Sequence, residues 1–167
     1  MSHRYRGLVC ISALAGCLLI AGAAPSVAPE IRDDGKFFSA AAIKKADEHI
    51  RDIYRKYQRD VLIETIATVP QADMEKIKAM DAKGKAAYFL KWAKDRSGER
   101  VVNGIYVLIC KEPRHLLVGI NENEPRKFTP EIRAAVEDAF RKEFKEERYD
   151  SGLEMAIRVI EEKLAKK

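Results

Sequence analysis

The chain has 167 residues, with 31 Lys and Arg against 26 Asp and Glu and a formal net charge of +5. That length matches one ordinary domain, and three cysteines are too few for a disulfide-stapled scaffold. Charges of both signs alternate, as in Glu137-Asp138 with Arg141-Lys142 and in Glu143-Phe144-Lys145-Glu146, which reads as a solvated, salt-bridging surface and excludes a nucleic-acid stripe.

Residues 1–23 read as a secretory signal peptide. His3, Arg4 and Arg6 make a basic start, no acidic residue precedes Glu30, and Gly7 to Ala24 is apolar or small throughout. Ala21-Gly22-Ala23 offers a signal-peptidase site with cleavage before Ala24. Two other routes compete with it. Leu14-Ala15-Gly16-Cys17 has the form of a lipobox, in which Cys17 would be lipidated, although Leu18-Leu19-Ile20 follows where a polar tether is usual. The stretch also approaches the ~20 apolar residues that span a bilayer, so an uncleaved anchor is the third route. The expected location is periplasmic or otherwise extracytoplasmic, with anchoring through the N-terminus as the alternative. Arg4 and Arg6 leave with the leader, so cleavage keeps 29 basic against 26 acidic side chains. Cys10 and Cys17 leave too, and Cys110 alone can form neither an intramolecular disulfide nor a Cys-based metal site.

Residues 24–37, with Pro25 and Pro29, read as a linker and lead-in, and 38–167 as the folded domain. Ser39 can cap a long helix whose stripe is Ile43, Ala46, Ile50, Ile53, Tyr54 and Tyr57. Asp60 to Val69 is rich in β-branched residues and stops at Pro70, so it predicts a strand buried on both faces. Asp73 can cap a helix to about Ala93 that Gly84 could divide, followed by a polar loop over 96–100. The runs 101–110 and 115–120 across Lys111-Glu112-Pro113-Arg114 predict a hairpin, and the preceding strand–helix–strand predicts a right-handed crossover. Residues 121–127 read as a polar connection. Thr129 with Pro130 predicts one helix start, and Ser151 with Glu154 a capping box at another. The fold class is therefore α/β, a three-layer α/β/α sandwich with a small mixed sheet flanked by about four helices.

The order of these features resembles the TPM domain family from about Ile31 to Leu164. The matching residues are Asp33-Asp34-Gly35-Lys36-Phe37-Phe38-Ser39 before the first helix and the strand Asp60–Ile66. Trp92 in an aromatic-rich helix follows, then Asn103-Gly104 before an apolar strand, Val118-Gly119, and Phe144 through Leu153. Val102 stands where the family often has an acidic residue, and Ile120-Asn121-Glu122 replaces the Gly-Leu-Glu that often follows Val-Gly-Tyr. The resemblance implies a three-layer α/β fold, a phosphatase activity attributed to some members, and roles in maintaining photosynthetic or envelope complexes. The function expected is thus an exported domain that binds or maintains envelope protein complexes. The alternative is a divalent-metal-dependent acid phosphatase (phosphomonoesterase). The partner expected is an envelope or membrane protein complex, not nucleic acid.

Few residues suggest chemistry directly. Asp33 and Asp34 could hold Ca²⁺ or Mg²⁺, since hard cations want clustered carboxylates, or could form a solvated lead-in to the first helix. Asn103 could add a carbonyl ligand or make a tight turn with Gly104. Glu64, inside an apolar strand, could be a perturbed carboxylate, or lie at the sheet edge or pair with a Lys. Cys110 reads as a buried thiol, because a thiol-phosphatase loop would need an Arg where Leu116 stands. His49 and His115 read as structural or surface residues, and Tyr88, Phe89 and Trp92 as core, with partner docking second.

Overall fold

A computed structural model of the chain describes residues 30–98, 104–120 and 129–166. Helix α1 spans Ala40–Tyr57 and buries Ala46, Ile50 and Ile53, the middle of the predicted stripe. Ser39 caps it as expected, its Oγ accepting the Ala42 N–H at 3.1 Å. At its far end Gln58 adopts a left-handed conformation and returns its N–H to the Tyr54 carbonyl at 2.8 Å. Strand β2, Asp60–Thr68, is buried from Val61 through Ile66, and β3, Gly104–Glu112, from Gly104 through Cys110. Strand β4, His115–Ile120, completes the hairpin and buries only Val118, as befits an edge.

The linker and lead-in segment carries an element too short for any periodicity to reveal. Arg32–Asp33 forms β1, which pairs parallel to β2 with Arg32 opposite Glu64 and Asp33 opposite Thr65. The sheet order is β1-β2-β3-β4, with only the β3–β4 pair antiparallel. Gly104 is obligatory at the start of β3, because a Cβ there would lie 1.9 Å from the Asp60 carbonyl oxygen.

The predicted second helix is two. Helix α2 covers Gln71–Ala79 and α3 covers Ala82–Gly98, and the break falls at Met80, before Gly84. Met80 is extended, and Asp81 caps α3 by accepting the Gly84 N–H at 2.7 Å. Asp73 lies in the first turn of α2 and is not its cap; it accepts a hydrogen bond from the Tyr88 hydroxyl at 3.1 Å. Arg96, expected in a loop, belongs to the last turn of α3.

Helix α4 spans Pro130–Phe144 with Thr129 before it, and α5 spans Tyr149–Ala165. The thread between them closes early: the Arg148 N–H reaches the Glu143 carbonyl at 3.0 Å and Arg148 Nε reaches Glu143 Oε2 at 2.8 Å. Helix α5 therefore starts two residues before Ser151, and the capping box does not form. Glu154 instead pairs with Lys45 and Arg158.

The alternation of β2 and β3 splits the core in two. Val61, Ile63, Ile105, Val107 and Ile109 face α1, α4 and α5. Leu62, Ile66, Tyr106, Leu108 and Cys110 face α2 and α3. This is the three-layer sandwich, with five helices because the second is divided. The crossovers β1–α1–β2 and β2–α2–α3–β3 both step the same way across the sheet but use opposite faces, so they have opposite hands. The right-handed preference can hold for only one of them.

Candidate functional site

The parallel strands end at Asp33, Thr68 and Glu112, and in open α/β sheets ligands gather beyond such carboxyl ends. The β1–α1 loop is built there around Asp33. Its Oδ1 accepts the Phe37 N–H at 2.9 Å and the Thr65 hydroxyl at 2.5 Å, while Oδ2 accepts the Phe38 N–H at 2.9 Å. Thr65, itself buried, also accepts the Gly35 N–H at 2.9 Å. A Cβ on Gly35 would meet the Thr65 hydroxyl and the Phe37 ring at 2.9 Å, so the loop fits only glycine. Both lone pairs of Oδ1 are committed, which leaves Asp33 little to offer a cation that takes six to eight oxygens. Asp34 is exposed beside it. Among the described residues no group of three or more His, Cys, Asp or Glu side chains could hold a metal ion. Asn103 and Cys17 lie outside the described residues. Gly104, next to Asn103, stands opposite Asp60, five residues along β2 from the Thr65 that Asp33 meets, or roughly 16 Å at strand spacing.

What this loop does position is a wall of a pocket. Lys36 and Phe37 from the loop, Lys111 and Arg114 from the β3–β4 hairpin, and Arg141, Phe144 and Lys145 from α4 enclose about 450 Å³. Tyr149 of α5 closes it, and Ile109 and Leu116 form an apolar floor. The rings of Phe37 and Phe144 stack at 5.9 Å, and Tyr149 meets both edge-on at 5.3 and 5.0 Å. Lys111 Nζ lies 5.6 Å over the Phe37 ring. Gly152 lets α5 approach this cluster, since a Cβ would lie 2.8 Å from the Phe144 ring.

Among the described residues five cationic side chains line the pocket and no carboxylate does. Arg141 approaches Glu137 at 3.7 Å, whereas among the described residues Lys36, Lys111, Arg114 and Lys145 have no acidic partner. The alternation around residues 143–146 suggested local neutralisation. Instead Arg148 takes both Glu143 and Glu146, at 2.8 and 3.9 Å, and Lys145 is left on the pocket. This cationic cluster is the feature that sequence reasoning missed. Its one local trace is the basic hairpin turn Lys111-Glu112-Pro113-Arg114.

Of the remaining candidates, Cys110 and His115 also line this pocket. Cys110 is buried, its thiol is pushed up to about 11 by burial, and Sγ donates to the Glu112 carbonyl at 3.3 Å. His115 stacks on Phe89 at 4.0 Å, and burial and the nearby Arg141 hold its pKa below the ordinary value. His49 pairs with Glu161 on the surface. Glu64 is not at the edge: it is buried between β1 and β3, with Arg96 Nε at 2.8 Å, the Tyr106 hydroxyl at 2.7 Å and the Arg32 guanidinium at 3.7 Å. Burial, and then the Glu64 carboxylate, keep the Tyr106 phenol protonated far above its usual range. Phe89 is core as expected, with Tyr88 and Trp92 packed half-buried beside it.

The TPM domain matches residues 31–163, nearly the whole of what the structure describes. The chain belongs to the TPM domain family. Solved structures agree on the fold of this TPM domain. The N-terminal domain of a P. gingivalis protein is 15% identical with a TM-score of 0.61, covering 81% of this chain and 82% of that one. The BA42 protein of Bizionia argentinensis is 16% identical with a TM-score of 0.54, covering 78% and 83%. The N-terminal domain of the cg2496 protein of Corynebacterium glutamicum is 13% identical with a TM-score of 0.53, covering 91% and 87%. No curated protein matches the sequence. Among the described residues no helix of the TPM domain is long and apolar enough to cross a membrane.

Proposed function

We propose that this TPM domain is an exported binding domain that docks on protein complexes of the cell envelope and helps maintain them, using the basic aromatic pocket as its contact. The observation that supports it most is the pocket's uncompensated charge. Like charges held around a concave apolar floor repel one another and weaken the folded state, so a complementary surface would relieve them on docking. A volume of about 450 Å³ lies within the range of sites that accept a ligand or an anchoring side chain. In this reading the leader carries the domain across the membrane, and lipidation at Cys17 or retention of the leader would tether it there.

The test uses the full chain expressed in its host with Lys111→Glu and Arg114→Glu, two exposed hairpin residues. Crosslinking in membranes should recover a defined complex with the wild type and lose it with the double variant. Equal recovery from both, or none from either, overturns the binding reading. The metal-dependent phosphomonoesterase that the resemblance implies, with Asp33, Asp34 and Asn103 around the ion, is tested on the same protein. Aryl phosphate hydrolysis that requires Ca²⁺ or Mg²⁺, disappears with EDTA and is lost in Asp34→Ala would replace a binding domain with an enzyme. Asp34→Ala is the informative variant, because Asp33→Ala also removes three hydrogen bonds from the loop.

A further inference from the structure

The pocket's chemistry narrows what can fill it, an inference that rests on the docking role proposed above. We propose that the occupant is an acidic peptide segment of the partner protein, with carboxylates flanking an aromatic or large apolar side chain. That side chain would sit against Phe37, Phe144 and Tyr149, and the carboxylates would meet Lys36, Lys111, Arg114 and Lys145.

Three observations carry it. First, the cations come from separate elements. Lys36 is on the β1–α1 loop, Lys111 and Arg114 are on the hairpin, and Lys145 is at the end of α4. They surround the opening from three sides. A chain with several spaced carboxylates can satisfy cations distributed in this way, whereas one small anion can reach only some of them. Second, the interior between them is apolar and aromatic, with the stacked Phe37 and Phe144 rings and the perpendicular Tyr149. Such a floor gains by burying a side chain, at ~25 cal/mol per Å² of apolar surface. A phosphate or carboxylate alone would leave it wet. Third, the Phe37, Phe144 and Tyr149 rings line a pocket of about 450 Å³, which the flat face of an anionic membrane would not fill.

Charge complementarity also sets the kind of recognition. Exposed Lys and Arg on a rim act mainly on encounter rate and specificity and are screened by salt, while an apolar anchor slows dissociation. Both parts are therefore needed for a lasting contact, and a peptide offering only one should bind weakly.

The experiment is a calorimetric titration of the full-length protein with a short synthetic peptide of four carboxylates flanking one phenylalanine. Two control peptides carry either amides in place of the acids or alanine in place of the phenylalanine. Saturable binding is expected at low salt, weakened about tenfold by high salt, by either control change, and by Lys111→Glu with Arg114→Glu. Thermal melting of the double variant checks that it is folded. Lys145→Glu, on another element, should weaken binding in the same direction and covers the case in which the hairpin variant is unstable.

Other results overturn the proposal. These are no binding of the acidic peptide, equal binding of the control peptides, or no loss in the folded variants. Binding instead of inorganic phosphate or of vesicles rich in anionic lipid, on the same residues, assigns the pocket to a different anion and also overturns it. The two inferences fail separately. If the hairpin variant loses the envelope complex while the acidic peptide does not bind, the docking role stands and the peptide does not. If the peptide binds as expected and no complex is recovered, the pocket chemistry stands and the envelope role falls.

Discussion

The two faces of the sheet are built differently. On the α1–α4–α5 face nineteen buried apolar residues form one continuous cluster. The α2–α3 face gathers ten, and within it Glu64, Tyr106 and Arg96 form a hydrogen-bonded polar network. The larger face carries the aromatic pocket at its rim, so the thicker apolar core is also what holds the Phe37, Phe144 and Tyr149 walls in place. The smaller face is a thinner layer of two helices pinned to the sheet by an ion pair. Its stability depends on satisfying a buried carboxylate as well as on burying surface.

The comparison can be broken first on the larger face. Phe140 is fully buried between α4 and α5 and packs edge-on against Phe144 at 5.4 Å. Phe140→Ala should cost about 3–5 kcal/mol, read from urea unfolding, and should loosen the pocket wall. Phe89→Ala on the thinner face should fall at the lower end of that range, because a layer with ten buried apolar residues is less tightly braced and can collapse onto the cavity more completely. Equal or reversed costs would contradict the difference in thickness.

The second prediction concerns the network. Glu64→Ala leaves the Tyr106 hydroxyl and Arg96 without their carboxylate and should destabilise by about 2–3 kcal/mol, discounted because Arg96 is partly exposed. Glu64→Gln retains an acceptor for Tyr106 and should lose less. If the two variants are equally unstable, the charge matters more than the hydrogen bonds.

A smaller effect sharpens the boundary between the faces. His115 resists protonation in the folded state because it is partly buried and lies near Arg141. Its folded pKa is thus below the unfolded one. As pH falls through about 6.5, the unfolded chain takes the proton first and stability drops until the folded pKa is passed. Thermal melts should show a lower midpoint at mildly acidic pH than at neutrality. His115→Gln should remove that component of the pH dependence, and an unchanged profile would assign it to other groups.

Local pattern was enough for much of the fold. The α1, α4 and α5 stripes, the doubly buried β2 and β3, and the hairpin all follow from side-chain period, because each element buries a face long enough to repeat. The two-residue β1 has no period to read. A division of this helix was legible from Gly84, but its place was not: the break falls at Met80, where an extended backbone precedes the Asp81 cap. Glu64 was legible as an oddity in an apolar strand. Its partner Arg96 was not, since the two meet only when α3 packs across the sheet.

The sequence by itself determined the three-layer class and the family, because these depend on composition, period and the order of short motifs. Tertiary structure decided the pocket. Its cations are far apart along the chain, from Lys36 to Lys145, and each taken alone is an ordinary surface residue. Only the parallel pairing of β1 with β2, the hairpin, and the turn in which Arg148 claims Glu143 and Glu146 bring those positive charges together without neutralising them. Charge sums along a sequence can cancel even where charges across a folded surface do not.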